Sequence, residues 1–585
     1  TAASYIVDRD IGISTSPIAH QIIFDPGAGP YTFVGNRVRL VNAGLRVVNR
    51  SGTTVTFSSG VEFGNSGGRF YTAYGDIIVE NGVHGGYNRM PSKTGIGTLI
   101  IRGTSNVQLG AYIHAGTLIL DENAQSFGGE NNIVFSGLNT ATLQIDGATS
   151  GTTVINKSVL TMNASNGAAV QIRLNSNGGD GIQLNFNGTT SGLAWFGGQT
   201  NRGETFNLDL TNGAGSSIFF GSFSSNNGQL SPSSLFPWAT VTEAGVTGFA
   251  TLTGTSMATG TLSGYLARNT NFVSLHDAGS LGSGSNYIVT GDATVAMNGT
   301  LGSLTIHAVD GGSLVSGSLA VGGVLMQEGS KDYTINGTLL SATANRLFIH
   351  QYSTDGDLIL EGQIHSNTSN GFLSKSGPGT VVLGTSGQVH NSSAINIQGG
   401  RFVVHGTIVR SNTVRVFHTA TLEGSGTIGS EAPSAVHVFS GGTLKATTSE
   451  ALEIGGTLTM DEYSHFSMTL DGIGTDFVSV GQSITIGEYV NLQLGLTSEI
   501  VLNEWVLLLK GDSIDGAFAT VNGQTIGSEG LFTLTYEDLV YNFELSYDEG
   551  EFRVRAVSVI PEASAALMAF LSAAGLALVR RIRIR

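Results

Sequence analysis

Apolar and polar residues alternate in short runs along nearly the whole chain. Thr98-Leu99-Ile100-Ile101, Thr117-Leu118-Ile119-Leu120 and Val170-Gln171-Ile172-Arg173-Leu174 are representative. Gly, Asn, Ser or Asp bounds each run. A period of two between turn residues predicts half-buried β-strands. The pattern is present early, in Tyr5-Ile6-Val7 and Gln21-Ile22-Ile23-Phe24, and no amphipathic helical period appears before the C-terminal tail.

A small unit recurs within this pattern: Gly, then Thr, then Leu or Ile. It occurs at Gly97-Thr98-Leu99, Gly116-Thr117-Leu118, Gly299-Thr300-Leu301 and Gly337-Thr338-Leu339. Later copies begin at Gly406, Gly426, Gly442 and Gly456. The first two start 19 residues apart, the next two 38, and Gly406 and Gly426 are 20 apart. A repeat of this length fits one coil of a β-helix, which buries its apolar face only by stacking on the next coil. A β-sandwich also gives short, regularly spaced strands. The recurrence without helices favours an all-β, right-handed parallel β-helix (β-solenoid).

Four regions are expected: solenoid over 1–370, a repeat region over 371–430, a β-rich cap over 431–557 and a C-terminal anchor over 558–585. A hairpin is expected within the cap, with arms Tyr541 to Tyr547 and Glu551 to Val557 around Asp548-Glu549-Gly550.

Composition narrows the reading. The 585 residues exceed what one compact core accommodates. Charged residues are 12% and hydrophobic ones 40%, enough for a core, while 84 glycines supply turns. The formal net charge of −16 argues against nucleic acid as a partner. Absence of Cys removes disulfides, thiolate nucleophiles and Cys-based zinc sites. Thr1 stands where an initiator Met would, so a processed N-terminus is expected.

The tail carries the most specific signal. Val559-Ile560-Pro561-Glu562 precedes an uncharged run over 563–579, and Arg580-Arg581-Ile582-Arg583-Ile584-Arg585 follows. As a helix the run spans roughly 25 Å, near the lower limit for crossing a bilayer core of about 30 Å. Arg580, Arg581, Arg583 and Arg585 then stop transfer on the cytoplasmic side. The expected partner of 563–579 is the inner membrane.

This layout resembles the PEP-CTERM sorting signal of Gram-negative bacteria. Pro561 and Glu562 match its first two positions, Ala563 stands in place of its second Pro, and the arginines match its basic end. The resemblance implies processing by an exosortase-like enzyme and an association with exopolysaccharide. A second stretch, Phe372 to Gly384 with Ile395 to Val404 and the exit Leu422 to Ile428, resembles the autotransporter-associated β-strand repeat. It implies a passenger-like β-helix and says nothing of catalysis.

Catalytic patterns are weak. Gly254-Thr255-Ser256-Met257-Ala258-Thr259 resembles the nucleophile segment of subtilisin-like proteases, but neither His84 nor His114 sits in that family's histidine motif. Asp461, Glu462, Asp471 and Asp476 are the candidate acids for polysaccharide chemistry, with surface solvation as the plainer reading. Asn175 to Asp180 offers oxygen donors in what reads as a turn, and the 12 histidines are dispersed, so no metal or cofactor is expected. Trp195-Phe196, Phe236-Pro237-Trp238 and Tyr463 could stack on sugars or pack inside coils. The expectation is an exported, non-enzymatic surface or matrix protein, structural or adhesin-like. The alternative is a polysaccharide-active or glycan-binding β-helix.

Overall fold

A computed structural model describes residues 5–561 apart from short internal stretches, the longest being 225–234. It is all-β among the described residues, and the architecture is a parallel β-solenoid. Each strand pairs in register with the strand one coil later. The alternation seen in sequence becomes interior columns of apolar side chains. One runs Leu99, Leu118, Leu143, Ile172, Leu208 and Val241, every member buried. Such parallel ladders exclude the antiparallel sandwich.

The solenoid has two arms. The N-terminal arm spans 5–268, and a second run of coils occupies 273–521. The first arm ends in antiparallel strands, including a hairpin of Leu235–Glu243 with Val246–Thr253. Ala244 and Gly245 turn that hairpin with positive φ of 50° and 76°. The chain then reverses direction, and the second arm packs back along the first.

Contacts along the seam run in opposite order on the two arms. Near the reversal, His350 Nε2 meets the Pro237 carbonyl at 2.8 Å and Gln327 Nε2 donates to the Thr247 carbonyl at 2.7 Å. Midway, Gln398 Nε2 donates to the Gly203 carbonyl at 2.8 Å. Further along, Asn139 Nδ2 donates to the Ser440 carbonyl while its Oδ1 accepts from the His418 amide, both at 2.8 Å. At the far end Tyr74 stacks on Tyr463 at 5.7 Å. Small apolar contacts, Ala168 with Phe417 and Phe439, and Phe249 with Leu325, fill between the hydrogen bonds.

Parallel pairing crosses residue 431 without a break, through Val414 on Val436, and continues through Val436 on Leu458, Leu458 on Ile484 and Ile484 on Ile514. The last strands are antiparallel: Leu531–Tyr536 on Leu539–Asp548 and the latter on Glu551–Pro561. The expected hairpin around Asp548 to Gly550 is present, and its return strand pairs with Val506–Lys510. Antiparallel strands here cover the open edge of the last coil.

Pro561 is the final ladder residue, opposite Leu539. Glu562, Ala563, the run 563–579 and Arg580, Arg581, Arg583 and Arg585 lie outside the described residues. No helix among the described residues is long and apolar enough to cross a membrane.

Candidate binding groove

Where the arms part slightly, they leave a groove of about 520 Å³. Its floor on the first arm is built by three consecutive coils. Strand register places Thr142, Gln171 and Asn207 in one outward column and Gln144, Arg173 and Asp209 in the next. The alternating residues Leu143, Ile172 and Leu208 are buried in the core, which fixes their neighbours outward. The opposite wall is the second arm's corner: Ser376-Gly377-Pro378, Gln398-Gly399-Gly400 and Thr419, with Tyr352 at one side.

The polar groups form a connected network. Arg173 Nε donates to Asp209 Oδ2 at 3.0 Å, while its terminal nitrogens reach Gln144 Oε1 and Gln171 Oε1 at 3.3 Å each. Asn207 Oδ1 accepts from Thr240 Oγ1 at 3.0 Å and Thr242 Oγ1 at 3.4 Å. Tyr352 OH shares a 3.0 Å hydrogen bond with Thr240 Oγ1. Burial raises the Tyr352 phenol above its ordinary value, so it stays protonated. Gln171 and Asn207 use their carbonyl oxygens as acceptors, and no described residue accepts from their amide NH2 groups. The groove thus offers carboxamide donors, hydroxyls and one internally neutralised ion pair.

Candidates from the sequence fall elsewhere. Asp461 Oδ1 bonds His437 Nε2 at 2.8 Å, and Glu462 bonds Tyr71 across the seam. Asp471, Asp476, residues 254–259 and Phe196 lie outside the described residues. His84 bonds the Asn81 carbonyl and His114 bonds Ser136 Oγ at 2.8 Å. Phe236 and Trp238 are buried in the first arm's core. Trp195 ends the strand Leu193–Trp195. Tyr463 is buried between Tyr74 and Tyr489. Asn175 to Asp180 forms a turn, with Asn177 at φ 51°. No group of three or more His, Asp or Glu side chains among the described residues is placed to hold a metal ion.

Sequence reasoning passed over the groove residues because Gln171 and Asn207 are ordinary outward strand positions. Their partners, Tyr352 and Gln398, are distant in the chain. The chain matches no known protein family and none of the characterised proteins it was compared with.

Proposed function

We propose that the chain is an exported, non-enzymatic surface protein of adhesin type whose inter-arm groove holds a neutral glycan. The observation that carries this reading is the groove's lining. Carboxamides and hydroxyls recur on successive coils, about 4.8 Å apart, a rise close to the length of one pyranose unit. The carboxylate in that lining, Asp209, is committed to Arg173, whereas glycoside hydrolysis uses a pair of carboxylates. That favours holding a glycan over cutting it. Coils wound right-handed, the usual sense for parallel crossovers, stiffen the arms that carry the groove.

Pro561, Glu562 and Ala563 serve as the sorting motif for an exosortase-like enzyme. Residues 563–579 hold the chain in the inner membrane, with Arg580, Arg581, Arg583 and Arg585 as the stop. The glycan is then an exopolysaccharide of the envelope or matrix. Supporting this is the tail's layout in sequence, an uncharged run between Pro561-Glu562 and the arginines.

A glycan array probed with residues 1–560 tests the groove: neutral glycans should be retained, and Gln171→Ala with Asn207→Ala should lose them by about tenfold or more. Retention unchanged in the double variant sinks the groove assignment. The anchor is tested separately. Deleting 561–585 should move the protein from the membrane fraction to the soluble one, and unchanged fractionation counts against it.

A further inference from the structure

The antiparallel cap has two unlike faces. Its inward side chains, among them Phe543, Phe552 and Val554, belong to the second arm's core. Cross-strand register sets the outward ones in rows, Leu531, Glu544 and Arg555 in one and Thr535, Val540 and Ile560 in another. Trp505 lies on this outer face, with the Arg555 guanidinium 4.5 Å from its ring centroid.

The charges on the face are answered locally. Arg555 donates to Glu544 Oε2 from Nε at 2.9 Å and from Nη2 at 2.7 Å. Arg553, further along the same strand, is paired with Glu551. Between the two rows Asn542 Nδ2 donates to Ser558 Oγ at 2.7 Å. What the face leaves to solvent is apolar: Trp505, Leu531 and Ile560 are all exposed. Apolar groups held out on a rigid sheet, rimmed by polar groups already satisfied, mark an interaction surface.

The course of the chain decides the occupant. Pro561 ends the last strand, one residue past Ile560. Only Glu562 separates it from the uncharged run that begins at Ala563. At full stretch that connection covers about 7 Å. A bilayer that holds 563–579 therefore holds the end of this face at its own surface. A tryptophan among paired polar groups suits the membrane–water interface, where one part of the ring is wet and the other is not. Glu504, beside Trp505, and Glu537 and Asp538, in the turn near Ile560, are exposed and favour a neutral over an anionic lipid surface.

We propose that the outer face of the cap lies on the surface of a zwitterionic bilayer, with Trp505, Leu531 and Ile560 in its interfacial layer. This docking depends on 563–579 serving as the membrane anchor. It adds an orientation that the anchor alone leaves open: the last strand, Glu551–Pro561, runs along the membrane plane.

The full chain reconstituted with phosphatidylcholine vesicles tests this. Flotation reads the anchor, and quenching of tryptophan emission by lipid brominated high on its acyl chains reads the face. The wild type should float and be quenched. Trp505→Phe should float equally and show about threefold less quenching, because Trp238 is buried in the first arm's core. Leu531→Asp, a change at an exposed position, should float equally and lose about half of the quenching. Flotation with quenching no greater in the wild type than in Trp505→Phe overturns the docking and leaves the anchor standing. Absence of flotation overturns both.

Discussion

The two arms use the same device to turn a corner, and they differ in how well it is finished. In each arm one interior column is interrupted by a lysine. In the first arm, Val47, Phe70, Lys93, Ile113, Phe135 and Met162 lie in register. In the second, Ile349 precedes Lys375, and Ile397, Val416 and Val438 follow. Both lysines are buried, at 2% and 0% exposure. Both ammonium groups are capped by backbone carbonyls. Lys93 Nζ donates to Gly95 at 2.6 Å, Ala115 at 2.8 Å and, loosely, Thr94 at 3.4 Å. Lys375 Nζ donates to Gly377 at 2.8 Å, Gly379 at 2.6 Å and also to Gly399.

One coil later a glycine with positive φ completes each cage, Gly116 at 66° and Gly400 at 62°. A Cβ on Gly400 would fall 2.4 Å from both Lys375 Nζ and the Gly379 carbonyl, so no larger residue fits. Burial drives both lysines well below the ordinary value; Asp76 opposes this at Lys93, whereas no charged group opposes it at Lys375. The lesson is that a solenoid can hold a lysine in its core without a paired carboxylate, as at Lys375, if the corner turns enough carbonyls inward.

The sharpest way to break this comparison is to remove the donors. Lys375→Ala leaves three inward carbonyls without a partner and opens a cavity, an expected loss of about 4 kcal/mol. Lys93→Ala should lose less, because one of its three caps is already long. Chemical denaturation of both variants reads the difference, and a larger loss at Lys93 would contradict the account.

Acid offers a second test, directed at the seam. His350 is fully buried, with Nε2 on the Pro237 carbonyl and Nδ1 on Ser376 Oγ, and burial pushes its imidazole down to about 4. Because the folded value lies below the unfolded one of about 6.5, the neutral form favours the folded state. That stability is complete above about pH 6.5 and is lost as pH falls toward 4, on the order of 3 kcal/mol in all. His350→Gln should flatten that part of the profile. The smallest expected effect is at mid-seam. Gln398→Ala removes its donations to the Gly203 and Gly167 carbonyls and the bond it accepts from Thr205 Oγ1, and should cost about 2 kcal/mol, while leaving the interior columns of both arms unaffected.

Much of the solenoid was legible in the sequence because its period is local. Leu99, Leu118 and Ile172, picked out by alternation, occupy the interior column. The terminal hairpin was legible for the same reason, from a Gly-containing turn between two alternating runs. The lysine cage left a trace that went unused. Ser92-Lys93-Thr94-Gly95-Ile96-Gly97-Thr98 repeats Ser374-Lys375-Ser376-Gly377-Pro378-Gly379-Thr380. The folding back of the arms left no such trace. It rests on single polar residues, Asn139, Gln327, His350 and Gln398, whose partners lie far away in the chain. Nothing periodic distinguishes them from solvated positions, and so the groove between the arms was equally invisible.

The reversal of the chain sets where force would travel. Tyr74 meets Tyr463 at one end of the seam and Pro237 meets His350 at the other. The coils that carry Tyr74 and Tyr463 are thus neighbours at one end of the seam, and the bend closes the other. A pull between the bend and the Tyr74–Tyr463 end of the seam acts along the stacking direction of both arms at once. Many strand ladders then share the load between two columns, and rupture of either one alone does not free the bend.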